Sequence, residues 1–468
     1  MRILFLVHDF LPAHPSGTEV YTGALALRLA QRGHEVRIFA TEKDIARPHL
    51  SLTRREWQGL VVHELVNNLF YQDFRETWDF PPAERAFGRV LDEFRPDVVH
   101  VMHLLYLSVG CVEEAHRRGL AVFFTLHDYW LQCARFGQRV HADGGICHTI
   151  DFARCGTCLA QLKFAQSPLA RGAARVIAGV KSASGIDLGG LARAAGERLR
   201  GRPSAVGTSC GPGPEQAGRF ASAAREREAE LRRRLLPCVE RFFAPSLFLR
   251  ERFREWGLAE ERIETLPYGL ELESFRGLTR TTSAKLRIAF LGTLAPHKAP
   301  HLLLEAFALL PAELRARATL TLYGPKQHFP DYVAGLERRA AGLGAELPGV
   351  LARRDVPATL AATDVLVVPS VWYENSPLTI HEARAARTAV LVSDLGGMAE
   401  LVEPGRTGWR FRTGDAGDLA QALARILRDP SMLDGLDFEP PPKDMQASAA
   451  EMEERYDAAL RRTAERGR

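Results

Sequence analysis

Short apolar runs alternate with amphipathic segments through the first part of the chain. The apolar runs predict strands at 1–7, 35–40, 97–102, 121–126 and 241–246. Between the first two runs, positions 18–32 predict a helix that ends at Gly33. Continuous apolar runs are typical of strands buried on both faces, and their alternation with helices predicts a parallel α/β sheet with right-handed crossovers.

A second alternating series begins near position 286. It predicts strands at 286–292, 318–323, 364–368 and 389–393, and helices at 301–310, 332–343 and 378–386. A polar segment, 271–284, separates the two series, and a final helix is predicted at 445–465. We therefore predict an N-terminal domain over 1–280, a second domain over 281–435 and a C-terminal helical segment over 436–468.

The composition is that of an ordinary soluble globular protein. The 468 residues are 46% hydrophobic and 25% charged, and the length suffices for two or three cores. No apolar run approaches the roughly 20 residues that span a bilayer, and the run 3–7 is too short for a secretory signal. The net charge of +4, without a basic patch among aromatics, argues against nucleic acid as a partner. We expect a cytoplasmic protein.

Two glutamates flank the start of a predicted helix in the second domain. An apolar strand leads into a loop that carries Glu374, and Glu382 falls in the second turn of the helix that follows. Asn375 or Ser376 is predicted to cap this helix, with Pro377 at its first position. Amides at a helix N-terminus bind phosphate, and carboxylates bind hydroxyls. A nucleotide-sugar carries both groups; the alternative is an exposed helix with two solvated acids.

The same residues resemble a motif of a known family. Glu374 and Glu382, with seven residues between them and Pro-Leu inside, resemble the paired glutamates of the family-4 retaining glycosyltransferases. The resemblance implies the GT-B architecture, in which two Rossmann-like domains face across a cleft and the last helix crosses back to the first domain. It implies that Glu374 contacts hydroxyls of the donor sugar and that Glu382 contacts the ribose. The neighbouring residues expected in the donor site are Asn375, Ser376, Pro377 and Leu378.

The loop after the first strand of the second domain matches the family pattern at one position and departs from it at another. The family usually has an arginine just after the glycine and a lysine five residues further on, and these cations neutralise the donor diphosphate. Lys298 matches the lysine, but Thr293 stands at the arginine position. Fixed cations stabilise the charge that develops on a leaving diphosphate. Either Lys298 and the helix amides suffice, or an arginine elsewhere substitutes; the alternative is that Lys298 is an ordinary exposed loop lysine.

Two residues of the first domain are candidates for the same chemistry. Gly17 follows the first strand and stands where the family has a glycine-rich loop that faces the donor phosphates and the acceptor. His127 closes a predicted strand at its carboxyl end, where open α/β sheets bind ligands, and it matches a family histidine near the reacting sugar. A structural role is the alternative for both. We predict His127, Lys298 and Glu374 as catalytic, with Gly17 and Thr293 in donor binding.

Four cysteines fall within 26 positions of the first domain. They are Cys133, Cys147, Cys155 and Cys158. Disulfides are rare in cytosolic proteins, so the cluster, which ends in Cys-x-x-Cys, favours a metal. Four thiolates predict a structural zinc; an iron–sulfur cluster would accept the same ligands, and the remaining alternative is a set of small core residues. A catalytic metal is not expected, because GT-B enzymes do not generally need one.

Residues 160–240 interrupt the alternation of strands and helices. The segment is rich in alanine, glycine and arginine, and its basic middle contains Arg171, Arg175, Arg193, Arg198, Arg200 and Arg202. A basic, helix-prone segment predicts contact with anionic lipid at a membrane surface. The alternative is a solvated insertion.

Together these features predict a retaining glycosyltransferase. The enzyme would move a sugar from a nucleoside-diphosphate-sugar of unknown base to a glycan or lipid-linked acceptor. Cell-envelope or extracellular polysaccharide synthesis at the inner face of the membrane is the expected context. One alternative is a nucleotide-sugar 2-epimerase of the same architecture. A second is a non-enzymatic, metal-stabilised carbohydrate-binding protein, which the departure at Thr293 keeps open.

Overall fold

The chain folds as two α/β units. The computed structural model describes residues 1–164, 172, 176, 213–281 and 283–466. The first unit consists of Met1–Gly137, His141–Phe242 and Glu453–Arg468, and the second of Gln138–Val140 and Phe243–Met452. Two Rossmann-like sheets, one of eight strands and one of six, confirm the predicted α/β class.

The eight-stranded sheet is built from the first part of the chain. Its strands are β1 (Arg2–Leu6), β2 (Glu35–Glu42), β3 (Leu52–Trp57), β4 (Leu60–Val66), β5 (Val98–Val101), β6 (Ala121–Thr125), β7 (Arg241–Ala244) and β8 (Ile263–Thr265). Their order is β3-β4-β2-β1-β5-β6-β7-β8. Strand β1 lies in the middle, parallel to β2 and β5, and Phe5 stands opposite both Ile38 and His100.

The apolar pattern does not predict the β3–β4 hairpin. Strand β3 is polar and pairs antiparallel with β4 at the edge of the sheet. Gln58 and Gly59 join the two strands with φ angles of 48° and 83°, as a two-residue hairpin turn requires. An edge strand with charged side chains discourages pairing with other chains. Strand β3 therefore lacks the apolar signal by which buried strands are recognised, whereas β4 is buried along most of its length and is missed as well.

Helices cover the first sheet. They are α1 (Gly17–Gln31), α2 (Pro81–Phe94), α3 (Gly110–Arg117), α4 (Phe152–Ala160) and α5 (Pro214–Leu235). Helix α5 lies in the segment where alternation fails, and it packs against α4. The six arginines predicted to contact lipid lie outside the described residues. Of the helices that the structure describes, none is long and apolar enough to cross a bilayer.

The six-stranded sheet belongs to the second unit. Its strands are β9 (Leu286–Leu291), β10 (Ala318–Tyr323), β11 (Glu346–Gly349), β12 (Val365–Val368), β13 (Ala389–Ser393) and β14 (Gly408–Phe411). Neighbours pair in parallel in the order β11-β10-β9-β12-β13-β14. The sequence pattern predicts the four inner strands but neither edge strand. Strands β12 and β13 are fully buried, whereas β10 alternates buried residues with exposed or partly exposed ones and β11 is partly exposed.

Eight helices of the described part belong to the second unit. They are α6 (Leu247–Glu255), α7 (Pro300–Leu309), α8 (Ala312–Arg315), α9 (Pro330–Leu343), α10 (Val356–Ala361), α11 (Leu378–Ala385), α12 (Gly396–Glu400) and α13 (Ala416–Arg428). One face of the sheet forms a core with α7 and α13, in which Leu303, Leu391 and Leu423 are fully buried.

The last helix, α14 (Met445–Arg466), joins the first unit from Glu453 onward. Tyr456 on this helix is fully buried, and its hydroxyl lies 2.5 Å from Nδ1 of His100 on β5. His34 lies 2.9 Å from a carboxylate oxygen of Glu453. The prediction that the C-terminal helix returns to the first domain is confirmed.

Candidate functional site

A partly exposed lysine and a buried glutamate form a pair beyond the carboxyl end of β12. Glu374 is 7% exposed, and its Oε1 accepts hydrogen bonds from Nζ of Lys298 at 2.5 Å and from the Ser370 hydroxyl at 2.8 Å. Burial by itself would raise the pKa of Glu374, but the Lys298 charge and the hydrogen bonds outweigh it, and the pKa is lowered. Glu374 is therefore a carboxylate at neutral pH.

Two loops bring this pair together. Lys298 ends a short 3-10 helix, Pro296–Lys298, that follows β9. The Val371 amide in the loop after β12 donates to the His297 carbonyl at 2.9 Å, which ties the two loops to each other. Nζ of Lys298 also lies 4.9 Å from the ring centroid of Trp372, within cation–π range. The predicted lysine is thus placed against the first glutamate, whereas the Thr293 position supplies no charge.

The loop between Glu374 and helix α11 differs from its prediction in one detail. The N-cap of α11 is Pro377, without a side-chain cap, so neither Asn375 nor Ser376 caps the helix. The Ser376 hydroxyl instead lies 2.7 Å from Nε2 of His381, one turn into the helix. This side-chain bond diverts the hydroxyl from the backbone amides. The predicted cap is therefore wrong, although the loop and the helix are in place.

A glycine at the start of α12 allows a close approach to the same loop. The Gly397 amide donates to the Glu374 carbonyl at 2.8 Å. A Cβ atom at Gly397 would lie 1.6 Å from the Asn375 carbonyl oxygen, so no other residue fits there without a shift. The Gly-Gly turn after β13 thus fixes the backbone of the loop that carries Glu374.

Glu382 has a partner that the sequence did not indicate. Its side chain is 1% exposed on the second turn of α11, and Nη1 of Arg353 donates to its Oε1. Burial raises the pKa of Glu382, and Arg353 only partly offsets this. Arg353 begins a 3-10 helix after the edge strand β11, which the apolar pattern misses. Only the tertiary structure brings this arginine to the second glutamate.

Buried imidazoles occupy the carboxyl edge of the first sheet. His127 follows β6, and burial, with the charges of His103 and His100, holds its pKa well below the usual range. Burial also lowers the pKa of His8, whose ring centroid lies 4.5 Å from that of His103. His127 and His8 are therefore neutral at pH 7, because burial removes the charged imidazolium from solvent.

Gly17 opens helix α1 at the same edge. Its neighbour Ser16 is the N-cap, but the Ser16 hydroxyl donates to the carboxyl of Glu19 instead of a backbone amide. Glu19 is fully buried, and burial raises its pKa. One of its oxygens lies 3.3 Å from Nε2 of His8. No sequence pattern distinguishes Glu19, since a glutamate in a first helical turn is common.

Asp128 links the histidines to the following loop. The Leu105 amide donates to Nδ1 of His103 at 3.0 Å, so the proton of this imidazole is on Nε2, which donates to Asp128 at 3.1 Å. The other Asp128 oxygen accepts from the Trp130 amide at 2.7 Å. A cavity of about 10 Å³, close to the room that one water needs, is lined in part by His103, His127 and Asp128.

A fully buried arginine holds the loop that follows Asp128. Arg227 on α5 donates to the carbonyls of Trp130 at 2.7 Å and Leu131 at 3.4 Å. Its guanidinium lies 4.5 Å from the Trp130 ring centroid, and burial lowers its pKa to about 10. Helix α5 therefore supports the edge of the sheet where His127 lies.

The predicted zinc centre is not supported. The four cysteines lie near one another. Burial, with the charges of Cys133, Cys147 and Cys158, raises the pKa of the Cys155 thiol to about 12. Within the described ranges, however, no group of three or more histidine, cysteine or acidic side chains is arranged to hold a metal ion. The thiols of Cys133 and Cys147 point to separate backbone carbonyls, 3.8 Å and 3.2 Å away. The four cysteines are close along the chain, but their sulfur atoms do not form a metal-binding group in the described part of the structure.

Three family models match successive parts of the chain. Residues 15–155 match Glycosyltransferase Family 4, residues 172–269 match a Glycosyl transferase 4-like domain, and residues 285–429 match Glycosyl transferases group 1. The first match contains Gly17 and His127, and the third contains Lys298, Glu374 and Glu382.

Named relatives are similar over part of their length. The chain is 30% identical over 197 residues to the D-inositol 3-phosphate glycosyltransferase of Nocardioides sp., covering 37% of this chain and 43% of the relative. It is 33% identical over 189 residues to that of Nocardia farcinica, covering 37% and 42%. The match spans less than half of each relative.

Solved structures share the fold over almost the whole chain. Sucrose-phosphate synthase from Thermosynechococcus elongatus has a TM-score of 0.61 at 16% identity, covering 98% of this chain and 99% of the other. Anabaena HepE, solved with UDP and glucose, has a TM-score of 0.59 at 15% identity, covering 97% and 99%. These likenesses identify the GT-B fold.

Proposed function

We propose that this chain, which belongs to the family-4 and group 1 glycosyltransferases, is a retaining enzyme with a nucleoside-diphosphate-sugar donor and a glycan or lipid-linked acceptor. The observation that carries the proposal is the pair of Lys298 and the buried Glu374, 2.5 Å apart at the carboxyl edge of a parallel sheet. An ammonium group beside a carboxylate suits a ligand with a diphosphate next to sugar hydroxyls.

In the proposed reaction, Lys298 neutralises the leaving diphosphate. The bond from the anomeric carbon to the phosphate oxygen breaks, and the acceptor oxygen bonds to the same face of that carbon. The acceptor proton moves to the leaving phosphate oxygen, so no protein nucleophile is needed. Glu374 holds sugar hydroxyls, Glu382 holds the ribose, and the loop at Asn375–Leu378 lies along the donor. A cation placed where charge develops lowers the barrier.

The first unit contributes His127 and Gly17 in this proposal. His127 is buried and its pKa is well below the usual range, so it would meet the reacting sugar as a neutral imidazole. A neutral imidazole can donate or accept a hydrogen bond with a hydroxyl. Gly17 would face the phosphates from the start of α1.

A donor screen tests the function. UDP-, GDP- and ADP-sugars are added in thermal-shift assays, since a ligand that binds the folded state raises the melting temperature. We propose a UDP-sugar first, because HepE was solved with UDP-glucose. Hydrolysis of the bound donor without acceptor is then followed by proton NMR. A retaining enzyme releases the sugar first as the donor's own anomer; the inverted anomer would contradict retention.

The acceptor is proposed to be lipid-linked or a growing glycan at the inner membrane face. The positive charge of residues 171–202 supports this. Each arginine near an anionic membrane surface contributes about 1 kcal/mol of electrostatic attraction, and salt weakens that attraction. Flotation with anionic vesicles at low and high salt measures the attraction. The names of the relatives make inositol 3-phosphate the soluble acceptor to test in parallel. Transfer to that compound, with no vesicle binding, would contradict the membrane proposal.

A further inference from the structure

A half-exposed arginine covers the most buried acid of the donor site. The side chain of Arg353 is 53% exposed, whereas that of Glu382 is 1% exposed. Arg353 reaches the carboxylate through one nitrogen, Nη1, and binds one oxygen, Oε1. A carboxylate removed from water is costly unless a charged partner and hydrogen bonds compensate it. Arg353 supplies that compensation from the solvent side.

The surroundings of Glu382 offer no second cation in the described part of the chain. Strands β12 and β13 and helix α10 pack against α11, and none of them carries a charged side chain. On α11 itself, Arg384 donates to the Pro440 carbonyl at 2.8 Å. His381 is buried, which with Arg384 lowers its pKa to about 4, so it is neutral above that pH. The charge state of Glu382 therefore depends on Arg353.

The charge state decides what Glu382 can bind. A carboxylate accepts hydrogen bonds at both oxygens, whereas a carboxylic acid loses an acceptor site to its proton. A ribose presents hydroxyl groups that need acceptors. Without Arg353, burial would favour the protonated form, which suits these hydroxyls less well.

We propose that Arg353 positions Glu382 for the ribose by keeping it ionised and by holding Oε1, which leaves Oε2 to accept from a ribose hydroxyl. The inference rests on the proposed function, in which Glu382 contacts the nucleotide. It also accounts for an arginine that no apolar pattern or motif indicates. The neighbouring Arg354 is 88% exposed and lies 3.8 Å from Asp355, so it is a matched control.

The test is calorimetric titration with UDP, GDP and ADP between pH 7 and pH 9. We expect Arg353→Gln to weaken the best-bound nucleotide about tenfold at pH 7, the size of a lost hydrogen bond to a charged group. The loss should shrink toward pH 9, where Glu382 ionises without help. Arg353→Lys, which restores a charge, should recover part of the affinity, and Arg354→Gln should bind like the wild type.

The 2′-deoxy nucleotides separate positioning from general stability. The wild type should lose affinity when the 2′-hydroxyl is removed, and Arg353→Gln should lose much less, because Glu382 no longer favours that hydroxyl. Equal losses in both proteins would overturn the inference, as would wild-type affinity in Arg353→Gln. If the glutamine variant does not fold, Arg353→Ala, which also removes the charge, is compared with the wild type in the same way. A wild type that binds none of the three nucleotides would overturn the proposed function itself.

Discussion

The buried glutamates at the carboxyl edges of the two sheets have different partners. In the second unit, Lys298 meets Glu374 and Arg353 meets Glu382. In the first unit, the buried Glu19 meets the Ser16 hydroxyl and the imidazole of His8, whose pKa is low. The pKa of Glu374 is lowered, whereas that of Glu19 is raised; the pKa of Glu382 is also raised, because burial outweighs the Arg353 charge.

The different partners of these glutamates indicate which kinds of ligand group each edge can bind. A carboxylate beside an ammonium group suits a ligand that carries charge and hydroxyls together, and the second unit is built in this way. Neutral imidazoles and a buried acid with a raised pKa suit uncharged hydroxyl groups and proton sharing. The buried cation of the first unit, Arg227, meets backbone carbonyls. The comparison is open to experiment at four residues.

The largest effect is expected at Lys298. Lys298→Ala should lower the turnover of the donor by about 10²–10³-fold, as the loss of one preorganised electrostatic contact does. Initial rates of nucleoside diphosphate release measure it. Lys326→Ala is the matched control, because Lys326 also pairs with a glutamate, Glu337, in the same unit. Its side chain is 40% exposed. Equal rates in the two variants would remove Lys298 from the site.

Glu374→Gln should destabilise the second unit at neutral pH. The variant replaces a charged acceptor of the Lys298 and Ser370 hydrogen bonds with a neutral one, and we expect a decrease of about 1.5–3 kcal/mol in the free energy of unfolding. Because the folded pKa of Glu374 is lowered, its contribution is present above the unfolded value and is lost as pH falls through the folded pKa. Urea unfolding at pH 7 and pH 4 should show the difference from the wild type shrinking at the lower pH.

Arg227→Met should destabilise the first unit by about 1–3 kcal/mol, because it leaves the buried Trp130 carbonyl without its donor. Urea unfolding measures this, and tryptophan fluorescence of the native state should change with the environment of Trp130. Arg225→Met, at an exposed position two residues earlier on α5, is the control. A stable variant with an unchanged spectrum would show that the carbonyls find other partners.

The smallest effect, with the opposite sign, is expected at Glu19. Its raised pKa means that ionisation opposes folding as pH rises above the unfolded value. Glu19→Gln keeps the shape without the charge, so its melting temperature should exceed that of the wild type at pH 8 and lose this advantage at pH 4. The contrast between the two edges would be contradicted if Glu19→Gln destabilised the protein at pH 8. A loss as large as that of Glu374→Gln at pH 7 would remove the contrast entirely.

Prediction from sequence succeeded where apolar positions follow a regular pattern, which is continuous in β13 and alternating in β10. Strand β10 is predicted residue for residue at 318–323, and β13 at 389–393. It failed at the partly exposed edge strands β3 and β14, and it also missed β4, although that strand is buried along most of its length. It also failed for the four cysteines, since their spacing does not say which way each thiol points.

The chain by itself determined the alternating elements and the paired glutamates at one strand end, because each depends on a short stretch of residues. Only the tertiary structure decided the partners. Lys298 and Glu374 are 76 positions apart, Arg353 and Glu382 are 29 apart, and His100 and Tyr456 are 356 apart. Such contacts depend on the order of strands in a sheet and on the loops at their ends. Hydrophobic periodicity does not indicate that order, because it shows which positions are buried and not which residues they contact.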